Sequence, residues 1–460
     1  MLKITKTTIN EVQAMEIKRV SKVAALIIFP LALFCGRCFA EASPPTTEAD
    51  SFGDWLSQGS LYGEGKTMTF FQEYGSSEMS NRRTHSFGGD IQYQSPAFQG
   101  FSFGLAGYGA YNLGLNPSDT AQVEPYLPSD NVTVLGKAYL RYQGYGLDLK
   151  AGRMNLDTPF ANSGQGWTMI PALFQGLGGS YSLPINPDIK FYGYRIYRFK
   201  PFSADYFGRG DTGSPEITDT SIPSVDSNGF TTLGLRYGQL YHAKAEAWYY
   251  NFDKRAQLAF AGAEIPVQSL KVGSWTPYWG AQYVHEWDAS DQAFPYENID
   301  TSLYSARIGA RSGSHDVYFV ASRVPERDGA FLNGGFFAPY TFGIYDNTPL
   351  ESGQPLVSMV TVNQPGTALA LRYAYHSRQA LAVLGVTRLE LKDSPGIYYP
   401  LPAMNVNAAF MILGYNITER LHLEFEYDIV HSPNEVTGNY RSERLRLVYK
   451  FGKMMSEGDY

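Results

Sequence analysis

Segment 440–451, YRSERLRLVYKF, alternates between apolar and polar residues. Leu445, Leu447, Tyr449 and Phe451 fall on one face of an extended chain; Ser442, Arg444, Arg446 and Lys450 fall on the other. Segment 421–428, LHLEFEYD, sets Leu421, Leu423, Phe425 and Tyr427 against His422, Glu424, Glu426 and Asp428. A period of two means strands with two unlike faces. The pattern recurs along the chain in about eighteen runs, mostly of 8–13 residues, from 66–74 to 440–451. The count becomes sixteen if 176–183 or 256–265 is not a strand.

The connections alternate as well. Tight turns fall near 95–99, 143–146, 184–188, 238–241, 312–314, 376–378 and 415–419. Long polar stretches fall near 113–130, 154–176, 199–228, 287–300, 324–365, 390–403 and 430–439. A soluble β-sandwich also alternates apolar and polar residues, but its connections do not sort into short turns on one rim and long loops on the other. That sorting belongs to membrane barrels. Composition agrees: Tyr 34, Phe 28 and Gly 46 are abundant, and charged residues make up 18%, against roughly 25% in soluble domains. The fold class predicted is an all-β, transmembrane, antiparallel up-and-down β-barrel, with 18 strands over residues 66–451. Residues 41–65 form an N-terminal periplasmic segment and 452–460 a tail. Closure matters because every backbone N–H and C=O must pair inside lipid.

Residues 1–40 read as a secretory leader. Lys18, Arg19 and Lys22 precede the apolar run from Val23 to Phe34, and Cys38-Phe39-Ala40 offers a small-residue cleavage site after Ala40. Met15 gives a leader of more ordinary length, and a lipid anchor at Cys35 or Cys38 is the rival reading. Both cysteines lie in this leader, so the exported chain needs no disulfide framework. Residues 1–40 hold six of the 37 Lys/Arg and two of the 44 Asp/Glu, which leaves 31 basic and 42 acidic residues and a net charge of −11. Nucleic acid is not an expected partner. The expected partners are outer-membrane lipid, small anionic or zwitterionic solutes, and the outer-membrane assembly machinery. The chain is expected to be a monomer or a weak homo-oligomer. That machinery reads a terminal aromatic residue, which here is Phe451 at the end of the last strand or Tyr460.

Parity then predicts the lumen. If Leu445 and Phe451 face lipid, Arg444, Arg446 and Lys450 face inward. The same argument turns Lys137, Tyr139, Arg141, Lys150, Arg236, Arg307, Arg311, Arg372 and His376 inward. His242, Lys244 and Glu246 oppose Ala243, Ala245 and Ala247. Glu424, Glu426, Asp428 and Asp90 also point inward and stand as pairing partners for the arginines. Two readings follow: a solvated lumen without preference, or a positive track that concentrates carboxylates between low-dielectric walls.

The stretch 152–176, GRMNLDTPFANSGQGWTMIPALFQG, is rich in Gly, Pro and small polar residues between two strand-like runs. Its pattern is Gly152-Arg153, Thr158-Pro159, Ser163, Met169, Pro171, and Phe174 with Gly176 after it. With Lys137-Ala138-Tyr139-Leu140 and the run from Gly146 to Arg153 upstream, and Phe101-Ser102-Phe103-Gly104, it resembles the OprD-type family of outer-membrane porins. The resemblance implies an 18-stranded, substrate-selective pore narrowed by an inward loop. By it, residues 154–175 are the constriction loop, with Thr158, Pro159, Ser163, Gln165, Trp167 and Met169 in it. Arg153 stands at its base among the pore-lining basic residues. The family carries an acidic residue and an arginine late in this loop, where this chain has Gln165-Gly166-Trp167. That aromatic opens a second choice, an apolar or ring-bearing solute.

Other functions find little support. His85, His242, His285, His315, His376 and His422 fall in no nucleophile-pair spacing, and no HExxH or cysteine cluster appears outside the leader. An enzyme is not expected, nor a cofactor or metal. The function expected is passive uptake of amino acids or other carboxylate-bearing nutrients. A general diffusion pore or a polysaccharide-exporting barrel is the alternative.

Overall fold

The computed structural model describes residues 49–123, 127, 131–164, 168–201, 204–209, 227–238, 243–289, 298–336, 340, 363–396, 400–434 and 438–452. The strands are β1 (Ser60–Tyr74), β2 (Arg82–Gln94), β3 (Phe101–Tyr111), β4 (Val132–Gly144), β5 (Leu147–Met154), β6 (Asp157–Thr158), β7 (Ala161–Asn162), β8 (Leu173–Leu183), β9 (Asn186–Lys200) and β10 (Phe230–Tyr237). They continue as β11 (Lys244–Phe252), β12 (Ala256–Pro266), β13 (Thr276–Asp288), β14 (Asp300–Ser312), β15 (His315–Val324), β16 (Gly366–His376), β17 (Ala380–Leu391), β18 (Met404–Asn416), β19 (Leu421–His431) and β20 (Tyr440–Gly452). Apart from the short hairpin β6–β7, every strand pairs antiparallel with its neighbours in one 18-stranded sheet. The sheet closes where β1 meets β20, in register from Tyr62–Gly452 to Tyr74–Tyr440. Closure removes both edges, so no row of backbone donors is left for lipid to solvate.

Both doubtful runs are strands, as β8 and β12. The first strand begins at Ser60 rather than 66, because the pairing of β1 with β2 continues down to Ser60–Gln94. The segment before the barrel is therefore shorter than expected. It contains the α-helix α1 (Phe52–Ser57).

The rims sort as the sequence indicates, with two departures. On the long-loop rim, β11 and β12 are joined by only Asp253–Arg255, held by the Arg255 N–H on the Phe252 carbonyl at 3.0 Å. On the short-turn rim, residues 267–275 between β12 and β13 form a longer connection with a 3-10 turn.

Outward faces carry an apolar band. Leu105, Leu149, Leu177, Leu233, Ile308, Phe319, Leu371, Val386, Leu413 and Leu445 are exposed there. Exposed aromatic residues flank it: Phe101, Phe191, Tyr237, Trp279, Tyr415 and Tyr449 toward the short-turn rim, and Phe71, Phe87, Tyr111, Tyr197 and Tyr304 toward the long-loop rim. An apolar belt between two aromatic girdles is the outer surface of a membrane-spanning barrel.

One bulge reorders a wall. The register of β3 with β4 shifts between Ala106 and Gly107, so that Gly136 is skipped. Below it Thr133 and Leu135 point outward, while above it Lys137, Tyr139 and Arg141 point inward despite the same odd numbering. A Cβ at Gly136 would meet Tyr108 and Leu173 at 2.6 Å, so the skipped position has no room for a side chain.

Candidate functional site

Between β5 and β8, residues 155–164 and 168–172 fold into the barrel. The segment opens as the hairpin β6–β7. Pro159 and Phe160 form its turn, and the Thr158 hydroxyl closes it by donating to the Ala161 carbonyl at 2.7 Å. Ser163 holds the next layer. Its N–H donates to the Leu156 carbonyl, its Oγ accepts from the Leu156 N–H, and its carbonyl accepts from Ala172, each at 3.0 Å. Gly164 sits at φ 55, in the left-handed region where glycine costs least.

The loop touches two opposite walls. At one end, Phe160 packs edge-on against Tyr250 of β11 at 5.9 Å and Phe260 of β12 at 6.1 Å. At the other end, Met169 and Ile170 belong to a buried cluster with Met68 and Phe70 of β1 and Tyr108 of β3. Strands β1 and β12 stand half a circuit apart in the sheet order. The segment therefore crosses the lumen, and Thr158, Pro159, Ser163 and Met169 are buried along it. Gln165 and Trp167 lie outside the described residues, as does His242.

A second long loop joins it. Phe331, Leu332, Phe336 and Tyr340, from the connection after β15, share one apolar cluster with Phe160, Phe174 and Phe230. Tyr340 packs at a tilt against Phe230 at 4.8 Å and edge-on against Phe199 at 5.6 Å. Leu332 and Asn333 take φ 55 and 52, so the backbone there turns in a conformation uncommon for non-glycine residues.

Eight of the nine basic residues expected on the pore wall face inward, and most are matched. Arg141 grips the Asp148 carboxylate at 2.7 and 2.5 Å, a bidentate pair. Lys137 donates to Gln92 Oε1 at 3.2 Å. The Lys150 ammonium lies over the Tyr139 ring at 5.0 Å. Arg446 pairs with Glu424 at 2.9 Å, and Arg444 lies 3.9 Å from Glu426 and over the Phe70 ring. Asp428 accepts from the Ser442 hydroxyl at 3.4 Å, and Asp90 accepts from Gln92 at 2.7 Å. Arg307 pairs with Glu264 and stacks on Tyr318 and Tyr278. The same Glu264 takes Lys244 at 3.2 Å and Arg311 at 2.8 Å, and Arg311 also pairs with Asp316. His376 ends the inward row of β16.

Two arginines differ from this pattern. Arg236 binds Glu246 at 3.1 Å and reaches the Asp157 carbonyl of the loop at 3.3 Å, with the Asp157 carboxylate at 3.7 Å. Its guanidinium lies over Trp248 at 5.1 Å and Tyr192 at 5.3 Å, and 28% of the side chain stays exposed. Arg372 is buried between Tyr318, whose hydroxyl it meets at 3.3 Å, and the Phe410 ring. Among the described residues no carboxylate lies within ion-pair distance of it.

Arg153 is a correction. It shares the parity of Leu149 and Ala151, which face outward, and pairs across from outward Ala138. Its side chain donates to the Leu135 carbonyl at 2.9 Å and stacks on Phe207 at 4.5 Å. It braces the outer wall beneath the loop and does not line the pore.

Sequence reasoning missed Phe160, Asp157, Tyr192, Trp248 and Tyr250. The signal was present in WYYNF, where Trp248, Tyr250 and Phe252 put aromatic rings on the face that should be polar. The run Gly100-Phe101-Ser102-Phe103-Gly104 has the spacing of a serine-nucleophile elbow. It continues as β3, so the strand-to-helix turn is missing.

No protein-family model and no curated protein matches this chain. Solved structures do. Acinetobacter baumannii OccAB2 superposes with a TM-score of 0.69 at 14% identity, covering 87% of this chain and 100% of that one. A BenF-like porin from Pseudomonas fluorescens Pf-5 gives 0.67 at 11%, over 87% and 100%. Pseudomonas aeruginosa OpdK, solved with vanillate, gives 0.61 at 13%, over 85% and 99%. This chain has the 18-stranded fold of the OprD-type outer-membrane porins.

Proposed function

We propose that the protein is a passive, selective porin of a bacterial outer membrane, exported by the leader 1–40, for small solutes that carry a carboxylate. The observation that carries this reading is Arg236. Its side chain, bound to Glu246, stays 28% exposed where the inward loop meets the wall, between Asp157 and the rings of Trp248 and Tyr192. A planar cation can bind a carboxylate through two N–H donors while the solute's own ring packs on the neighbouring aromatics. Aromatic carboxylates fit such a site better than aliphatic ones. OpdK, solved with vanillate, holds a molecule of that class. Arg372, buried without a carboxylate beside it among the described residues, is a second station for the same charge. Arg141, Arg307, Arg444 and Arg446, each beside a carboxylate, line other parts of the wall with Lys137 and Lys150. No bond needs to be made or broken, so no catalytic group is required.

The test is a panel of solutes on purified protein in planar bilayers and swelling liposomes. Benzoate-like carboxylates, amino acids, dicarboxylates and neutral sugars of similar size are compared. The expected result is low single-channel conductance with aromatic carboxylates entering fastest. Equal rates for sugars and carboxylates of one size mean a general diffusion pore and overturn the proposal.

A further inference from the structure

We propose that α1 is a membrane foot, an interfacial helix whose apolar side chains enter the phospholipid leaflet at the short-turn rim. The helix sits on the outer surface of the barrel, not in its mouth. The Trp55 indole N–H donates to the Phe101 carbonyl at 2.9 Å, and its ring packs edge-on against Phe103 at 5.2 Å. The Tyr93 hydroxyl donates to the Leu56 carbonyl at 3.1 Å. Tyr93, Phe101 and Phe103 share the outward parity of Ile91 and Leu105, both exposed in the lipid-facing band. A Cβ at Gly59 would meet the Tyr93 ring at 2.2 Å, so the chain lies close against this face.

The helix has two sides. Phe52 and Leu56, one turn apart, are 59% and 51% exposed. They stand beside Trp55 and continue the lipid-facing band past its aromatic girdle. On the other side Asp54 bonds Ser51 and Gln58, and the Ser57 hydroxyl donates to the Gly53 carbonyl. Trp55 has the usual interfacial arrangement, with a satisfied N–H and an apolar body. Residues 49–59 carry Asp50 and Asp54 and no basic residue. Attachment therefore comes from apolar burial rather than attraction to anionic headgroups, and the occupant is neutral phospholipid.

The chain has no cysteine beyond Cys38, which makes single-site labelling clean. Phe52→Cys, Leu56→Cys, Ser57→Cys and Ile308→Cys variants of the exported chain are labelled with an environment-sensitive dye. Each is reconstituted in phosphatidylcholine vesicles containing lipids brominated near the headgroup or deep in the chain. Ile308, in the lipid-facing band and 66% exposed, reports that the barrel has inserted, and bromines in the acyl chain should quench it. Labels at 52 and 56 should be quenched at least twofold more by shallow bromines than the label at 57, at any salt concentration and any protein-to-lipid ratio. Quenching at 308 with labels 52 and 56 open to aqueous iodide overturns the proposal. So does quenching at 52 that falls as protein is concentrated, which would mean that a second copy of the chain covers the helix.

Discussion

The backbone N–H of Phe160 donates to the hydroxyl of Tyr250 at 3.2 Å, bridging 90 residues of sequence. One tyrosine thus supplies both a ring for the Phe160 side chain and an acceptor for its backbone. The crossing loop is anchored to the far wall at the one point where its hairpin turns.

Phe160→Ala should release that anchor. Removing a buried phenylalanine costs about 3–5 kcal/mol, here charged to loop docking while the strand ladder stays intact. Single-channel recordings should show a higher and noisier conductance, and heat-modified gel mobility should show an unchanged barrel. Tyr250→Phe keeps the ring and loses only the acceptor, about 1 kcal/mol, so its traces should lie between the two.

Deleting residues 160–170 should raise conductance several-fold. The segment holds both contacts across the lumen, at Phe160 and at Met169–Ile170. An unchanged conductance would mean that the narrowest point lies elsewhere.

Arg236 and Arg153 should separate cleanly by reversal potential. Arg236→Gln removes an inward guanidinium at the junction of loop and wall and should lower anion over cation preference. Arg153→Gln changes an outward residue and should leave the potential as it was. Equal shifts would contradict the register of β5 with β4.

Arg307→Leu should destabilise more than it alters selectivity. The guanidinium is fully buried against Glu264 and two tyrosines. Breaking a buried pair costs about 3–5 kcal/mol, and Lys244 and Arg311 remain to hold Glu264 and keep the loss at the lower end. Thermal unfolding in detergent would measure it.

Much of the fold was legible because alternation is local. YRSERLRLVYKF alone sorts Arg444 and Arg446 from Leu445 and Leu447, and the register of β20 agrees. What failed did so for non-local reasons. Ser60–Gly65 lies before the first strand-like run of the sequence, yet β2 pairs with it throughout and β20 from Tyr62 onward, which makes it strand. The resemblance puts Arg153 at the base of the loop on the pore wall, while the parity of its own strand turns it outward. Asp253–Arg255 makes a tight turn on the long-loop rim, where Arg195 of β9 clamps Asp253 at 2.7 Å, a contact between distant residues. The crossing of the lumen is what the resemblance at 152–176 implies, but its anchor at Tyr250 is a tertiary contact that no pattern within the loop encodes.

The seam between β1 and β20 joins the first and last strands of the barrel. Tyr62 faces Gly452, so the last residues of the barrel complete the ladder begun by the first. Until they arrive, β1 presents an open row of amides and carbonyls to its surroundings, and no shorter chain can satisfy them. Lipid tolerates no such row, and a contact between the two ends of a chain is the slowest kind to form. The two ends of the barrel segment therefore depend on each other: neither β1 nor β20 has its full set of partners until the ring shuts.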